Sequence, residues 1–187
     1  MAKEKKLPVK VKEKKYTMLG NAYDDDFFMR EALKQAQKAL KNMDVPIGAV
    51  VVCNGEIIGR GYNRVEKIKN ATAHAELMAI SRALNKTDFK HLNECSLYVT
   101  LEPCPMCSGA IVLSRLKRLV YGAKDPKAGA SGTLYAITDD NRLNHRCVVV
   151  SGVLEAECSK ILVDFFIKLR KKKKKVVTAK KRRNKTN

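Results

Sequence analysis

The sequence predicts a single α/β domain whose helices pack in layers against a mixed sheet. Apolar residues with helical spacing alternate along the chain with short apolar runs of strand length. The first two runs are joined by Asn54-Gly55, the preferred pair for a two-residue type I′ hairpin, so part of the sheet must be antiparallel. Hydrophobic residues make up 45% of the 187 residues, which is enough to form the core of one domain of this length.

The first half predicts a helix, a hairpin and a second helix. Three acids at 24–26 stand where a helix N-terminus favours negative charge, and an apolar stripe follows them. Residues 47–53 are continuously apolar, which is typical of a strand buried on both faces, and 56–62 should return antiparallel. Polar residues predict a loop over 63–72. A helix is predicted over 74–84. The first stripe comprises Met29, Leu33, Ala36, Leu40 and Met43, and the second helix should turn Leu77, Met78 and Ile80 toward the core.

The second half predicts three strands and two helices. Strands are expected over 96–100, 118–121 and 148–150. A helix should begin at Cys104 and run to about Leu116, with Pro103 and Pro105 favouring its start. An amphipathic helix over 154–169 closes the domain, and no internal repeat is present.

Positive charge is concentrated at the two ends of the chain. Of the net charge of +19, residues 1–15 carry +5 and residues 168–187 carry +12, which leaves +2 for the body. Basic runs of this kind are usually solvated and attract polyanions, so nucleic acid is the predicted partner, with a solubilising role as the alternative. We therefore divide the chain into a basic flexible lead (1–20), a central folded domain (21–170) and a basic disordered tail (171–187).

No apolar run approaches the roughly 18 residues that cross a bilayer, and the Lys-rich N-terminus lacks a signal-peptide core. The sequence thus predicts a cytoplasmic protein without a membrane partner. Six cysteines are present, and reduced thiols are expected in that compartment. Cys53, Cys95, Cys147 and Cys158 are interpreted as small core residues.

Two short motifs predict a catalytic zinc site. His74, Cys104 and Cys107 supply one imidazole and two thiolates, a set that leaves the fourth position of a tetrahedral zinc open for water. Glu76 lies two residues from His74, off the same helix face, and suits a proton carrier rather than a fourth ligand. This H-x-E with a later P-C-x-x-C is the signature of zinc nucleobase deaminases. A purely structural zinc site is the less favoured alternative, because His91 and His145 do not stand in a ligand-spaced pair.

Further segments resemble the bacterial tRNA-specific adenosine deaminases of the cytidine deaminase-like superfamily. They lie at 45–49, 61–64, 72–76, 101–110, 122–130, 144–146 and 164–166, within an overall likeness over about 24–170. The resemblance implies a three-layer α/β/α cytidine deaminase-like fold with a central mixed sheet of about five strands. It also implies one zinc ion per subunit and a homodimer whose active sites are completed by both subunits.

The implied reaction is deamination of adenosine to inosine at the wobble position (34) of a tRNA anticodon, with the anticodon stem-loop as partner. By the same resemblance Asn63 hydrogen-bonds the flipped nucleoside, Ala75 makes a backbone contact, and Ile47 forms part of the apolar wall. Pro103 is a further expected substrate contact, and Asp125 lies near the flanking nucleotides. His145 is a candidate contact to a phosphate or base, with an ordinary loop role as its alternative.

Two other functions are left open by the sequence. One is deamination of a free base or nucleotide, such as guanine or deoxycytidylate, on the same scaffold, with little dependence on salt. The other is a non-catalytic RNA-binding module with a vestigial zinc site, which the intact Glu76 argues against because such a module needs no proton carrier.

Overall fold

A computed structural model describes residues 24–87 and 90–183, so the predicted N-terminal lead lies outside the described residues. Its centre is a five-stranded sheet with the order β2-β1-β3-β4-β5. β1 is antiparallel to β2 and to β3, whereas β3, β4 and β5 are parallel to one another. The predicted mixed sheet of about five strands is confirmed. The strands are β1 (Gly48–Cys53), β2 (Glu56–Tyr62), β3 (Cys95–Leu101), β4 (Arg118–Ala123) and β5 (Val148–Ser151).

The hairpin between β1 and β2 has the predicted turn. Asn54 has a φ of 51° and Gly55 a φ of 77°, and a type I′ turn requires positive φ at both central positions. Beyond the turn, the register shifts between Val51 and Val52, so β2 carries a bulge.

Helices cover both faces of the sheet, which confirms the three-layer prediction. α1 and α5 pack on one face, where Met29 and Cys158 meet Val50 and Val120. α3 and α4 pack on the other, where Ala79 and Ile111 join the apolar core. The helices are α1 (Asp25–Lys41), α2 (Val65–Ile68), α3 (Ala75–Lys86), α4 (Pro105–Leu113) and α5 (Glu155–Arg183).

Two expectations for the first half are wrong. Met43 lies beyond the end of α1, with a φ of 61° and 56% of its surface exposed, so the apolar stripe stops before it. The loop predicted over 63–72 contains the short helix α2. The buried carboxylate of Asp44 accepts the backbone N–H groups of Glu66 and Lys67 at 2.6 and 3.2 Å, and so caps α2 from 22 residues away.

The helices of the second half differ in length from the prediction. α4 stops at Leu113, because Ser114 bonds back to the Ala110 carbonyl (2.7 Å) and Arg115 takes a φ of 54°. α5 continues to Arg183, past the predicted end at about Leu169, and the backbone is helical over 171–183 where a disordered tail was predicted. Lysine and arginine are good helix formers, and no glycine or proline interrupts 155–183. None of the helices in the described ranges is long and apolar enough to cross a membrane.

The start of α3 is held close against β2. A Cβ atom at Gly61 would lie 2.0 Å from the Ala75 carbonyl oxygen, and one at Gly59 would lie 2.3 Å from that of Ala79. Only glycine permits this approach. Because alanines occupy the contact, Leu77 and Met78 are half-buried rather than central to the core, while Ile80 is buried as predicted.

Candidate active site

The three predicted zinc ligands converge between the starts of two helices. His74 is the N-cap of α3, Cys104 is the N-cap of α4, and Cys107 lies one turn further. His74 Nδ1 is 3.7 Å from Cys104 Sγ and 3.5 Å from Cys107 Sγ, and the three atoms lie within 4.8 Å of one another. A tetrahedral zinc with ordinary Zn–N and Zn–S bonds separates neighbouring N and S ligand atoms by about 3.5 Å. The donor set and its spacing therefore fit zinc.

The surroundings of Cys104 favour the thiolate form of its side chain. A hydrogen bond from the Cys107 thiol, aided by His74, lowers the pKa of Cys104 to about 4. The same interaction with Cys104, together with burial, raises the pKa of Cys107, and the bond to Cys104 raises the pKa of His74. The helix N-terminus adds positive potential that favours thiolates. Binding of a divalent metal then has to release the remaining protons, so metal affinity should rise with pH.

Glu76 is placed beside the ligands but is not one of the clustered donors. It lies in the first turn of α3, is 4% exposed, and interacts electrostatically with His74 and Cys104. Burial raises the pKa of its carboxyl group. Its Oε2 atom has no hydrogen-bond partner among the described residues. A buried carboxylate oxygen left unpaired is costly, and it fits a group that exchanges protons with a bound reactant.

Asn63 connects the end of β2 to the start of α3. It is 4% exposed, and its Oδ1 accepts the Ala75 N–H at 3.0 Å. Its own N–H donates to the Ile47 carbonyl at 3.1 Å. Three of the expected substrate contacts, Asn63, Ala75 and Ile47, are thus joined by hydrogen bonds, and Ala75 directly follows His74. The Ala75 N–H is already engaged by Asn63, so a contact from that group to a substrate would have to share it.

The loop that follows β4 carries Asp125 and also contacts Pro103. Pro103 is buried, and its carbonyl accepts the Ala130 N–H at 2.8 Å. The Asp125 side chain accepts the N–H groups of Lys127 and Ala128 at 2.9 and 3.3 Å, so it shapes its own turn. Any contact from Asp125 to a substrate would come from this half-buried turn.

His145 is held by the protein itself. Its Nε2–H donates to the Leu116 carbonyl at 2.7 Å, and the ring is half-buried. This bond supports the ordinary loop role and leaves the RNA contact as a prediction.

Glu102 is the residue of the site that the sequence reasoning overlooked. The side chain is 2% exposed, and it accepts the N–H groups of Asp125 (3.1 Å), Ser131 (3.1 Å) and Thr133 (2.9 Å) together with the Thr133 hydroxyl. Burial alone would raise the pKa of Glu102, but these hydrogen bonds outweigh it and hold the pKa below its ordinary value. The carboxylate therefore ties the segment before Pro103 to the loop of residues 125–133. Its position directly before the Cys104 motif was the available signal.

Comparison with known proteins identifies the family. The sequence profile of MafB19-like deaminases matches residues 23–170. A tRNA-specific adenosine deaminase of Bacillus subtilis (strain 168) is 53% identical over 147 residues, which are 79% of this chain and 91% of that protein.

Solved structures share the fold. One comes from a study of A-to-I editing by tRNA:A34 deaminases at the wobble position of transfer RNA. It is 42% identical to this chain and superposes with a TM-score of 0.70. The match covers 73% of this chain and 99% of that chain. Guanine deaminase from Bacillus subtilis is 37% identical with a TM-score of 0.54, over 59% of this chain and 71% of its own. The likeness to the second is shorter and weaker.

Proposed function

Because this chain belongs to the MafB19-like deaminase family, we propose that it converts adenosine to inosine at the wobble position, 34, of a tRNA anticodon. The observation that carries the proposal is the His74–Cys104–Cys107 cluster at zinc spacing, beside the buried carboxylate of Glu76, whose Oε2 atom has no hydrogen-bond partner among the described residues. The 53% identity to a tRNA-specific adenosine deaminase supports adenosine in tRNA as the substrate.

His74, Cys104 and Cys107 would hold one zinc ion per subunit, which when bound supplies the acidity that turns water into a nucleophile near neutral pH. The thiolate prepared at Cys104 and the imidazole of His74 give the cluster its donors. Cysteine and histidine together favour zinc over magnesium or calcium, which prefer oxygen ligands.

Glu76 moves the protons of the reaction. Its carboxylate accepts a proton from the attacking water and delivers it to the ring nitrogen beside the reacting carbon. The water oxygen bonds to that carbon. Glu76 then takes the remaining hydroxyl proton and passes it to the exocyclic amine, so the C–N bond breaks and ammonia leaves as the carbonyl of inosine forms. Water and adenosine are thus converted to inosine and ammonia. Burial raises the pKa of Glu76, which is the direction expected of a carboxyl group that both accepts and returns a proton.

Asn63, Ala75, Ile47, Pro103 and Asp125 would position the nucleotide. Asn63 is fixed through the start of α3, so an amide directed at the base would be held without further ordering. Ile47 offers apolar surface beside it. An anticodon loop presents a partly unstacked base, which lowers the energy of extrusion to a few kcal/mol.

The proposal includes a cytoplasmic homodimer. Apolar side chains on α4, the helix that carries Cys107, are exposed at Met106 (37%) and Leu113 (74%). A second subunit placed over this helix would cover them and would lie near the metal site. Sedimentation analysis of the purified protein should give twice the chain mass.

Deamination of a free base is the competing function, and the likeness to guanine deaminase is its support. The two are separated by incubating the protein with bulk tRNA and sequencing for inosine, in parallel with assays for ammonia release from guanine and deoxycytidylate. We expect inosine at position 34 of a tRNA and little ammonia from the small substrates. Ammonia from guanine with unmodified tRNA would overturn the proposal.

A further inference from the structure

The last helix has two parts of different chemistry. Its first turns pack against the sheet, where Cys158, Leu162 and Phe165 are buried. The last acidic residue of the chain is Asp164, which pairs with Lys160 at 2.8 Å. From residue 168 onward every charged residue is basic. We call residues 168–183 of α5 the basic arm.

The basic arm carries charge that the body of the protein lacks. Residues 168–183 hold +11, against +2 for residues 16–167. Lys168, Arg170, Lys171 and Lys172 are exposed. The body alone can therefore give only weak long-range attraction to a polyanion, whereas the arm gives a strong one.

The arrangement of the arm favours a nucleic acid over a membrane surface. Residues 171–175 are five consecutive lysines, and successive helix positions are about 100° apart, so these positions go fully round the axis. A helix that lies in a membrane interface needs an apolar face, which such a run cannot provide. Phosphates that approach from several sides would also relieve the repulsion between lysines three and four residues apart.

We infer that the basic arm is a second contact surface for tRNA, which binds backbone phosphates outside the deamination site. This inference rests on the proposed function for the identity of the RNA. All but the first three residues of the arm lie beyond the match to the deaminase family, which ends at residue 170. At 1.5 Å per residue its 16 residues extend about 24 Å, a length that covers several successive phosphates of a duplex strand. The backbone of α5 runs unbroken from the packed turns into the arm, so the arm is continuous with the folded domain.

The test replaces Lys171–Lys175 by glutamine, which keeps helix propensity and removes five charges. A matched control replaces five exposed lysines of the body by glutamine, so the net charge changes equally. Dissociation constants for an A34-containing tRNA transcript are measured from 50 to 200 mM salt, with single-turnover deamination at saturating tRNA. The control positions are Lys34, Lys38, Lys86, Lys90 and Lys160.

If each arm lysine neutralises one phosphate, the salt slope falls by about 3.5 to 4.5 units, and affinity drops about 100- to 500-fold more at 50 mM than at 200 mM salt. The saturating rate should stay within about twofold, and the control should shift the slope by under one unit. An unchanged slope, an equal shift in the control, or a collapse of the saturating rate would each overturn the inference. So would loss of binding to anionic phosphatidylserine vesicles with tRNA affinity unchanged. If tRNA binding depends on the arm but no inosine forms, the proposed function is contradicted and the inference about the basic arm is not.

Discussion

Replacing Glu102 by glutamine should loosen the loop of residues 125–133 without removing the metal. The carboxylate accepts four hydrogen bonds, from Asp125, Ser131 and twice from Thr133. A glutamine keeps one acceptor oxygen for the N–H groups of Ser131 and Thr133. Its NH₂ group then faces the Asp125 N–H, and the Thr133 hydroxyl can turn to accept.

The cost follows from that one orphaned donor and the loss of charge. A buried N–H left without an acceptor destabilises by about 1–3 kcal/mol, and the bonds that remain lose their charge-assisted part. We expect the free energy of unfolding, measured by urea denaturation, to fall by about 2–3 kcal/mol. Because Glu102 has a lowered pKa, its contribution is complete above the ordinary value of 4.5 and is lost as pH falls through the folded value. The variant should therefore lose less stability than the wild type on acidification.

Function should respond through substrate binding. The loop carries Asp125 and contacts Pro103, so KM for tRNA should rise by roughly tenfold while zinc content stays at one per chain. The control is Asp140→Asn, the same chemical change at a turn where the partner is the exposed Arg142, and the free energy of unfolding should stay close to that of the wild type. Equal stability and unchanged KM in Glu102→Gln would refute the argument that this carboxylate organises the loop.

Three further substitutions test separate parts of the account. Cys104→Ser should lose most of its zinc by metal analysis, since it removes the prepared thiolate, and full retention would show that the ligand assignment is wrong. Asn63→Ala should reduce kcat/KM on an anticodon stem-loop while circular dichroism stays native; unchanged kinetics would leave Asn63 only as the cap of α3. Asp25→Ala removes two bonds from Arg118 (2.7 Å each) and one from the Tyr98 hydroxyl (2.9 Å). It should lower the free energy of unfolding by about 1–3 kcal/mol with kcat intact, and a thermal midpoint equal to wild type would contradict that.

Features of the fold that depend on neighbouring residues could be predicted from the sequence. The Asn54-Gly55 turn follows from the steric freedom of those two residues, and the clustering of His74, Cys104 and Cys107 follows from spacing that places them at helix starts. The helix α2 was missed because its cap, Asp44, comes from 22 residues earlier.

The role of Glu102 and the buried face of α3 could not be predicted, because both depend on contacts between residues far apart in the sequence. The partners of Glu102 lie 23 to 31 residues further on, and no local pattern reports them. The face of α3 was misjudged because Gly59 and Gly61 bring β2 against its alanines, a close approach that hydrophobic periodicity does not contain. The end of α5 was placed too early because charge was taken as a sign of disorder, although lysine and arginine support a helix once it has started from a packed segment.

The central claim is that Glu76 transfers the protons of a zinc-dependent adenosine deamination in tRNA. The most direct measurement is single-turnover inosine formation by Glu76→Ala on an A34-containing tRNA, with zinc content determined on the same preparation. We predict zinc at one per chain, tRNA affinity within a few fold of wild type, and a rate reduced by about 10²–10⁴-fold, as for a lost general acid–base. A variant that holds its zinc and still forms inosine at near the wild-type rate would contradict the account.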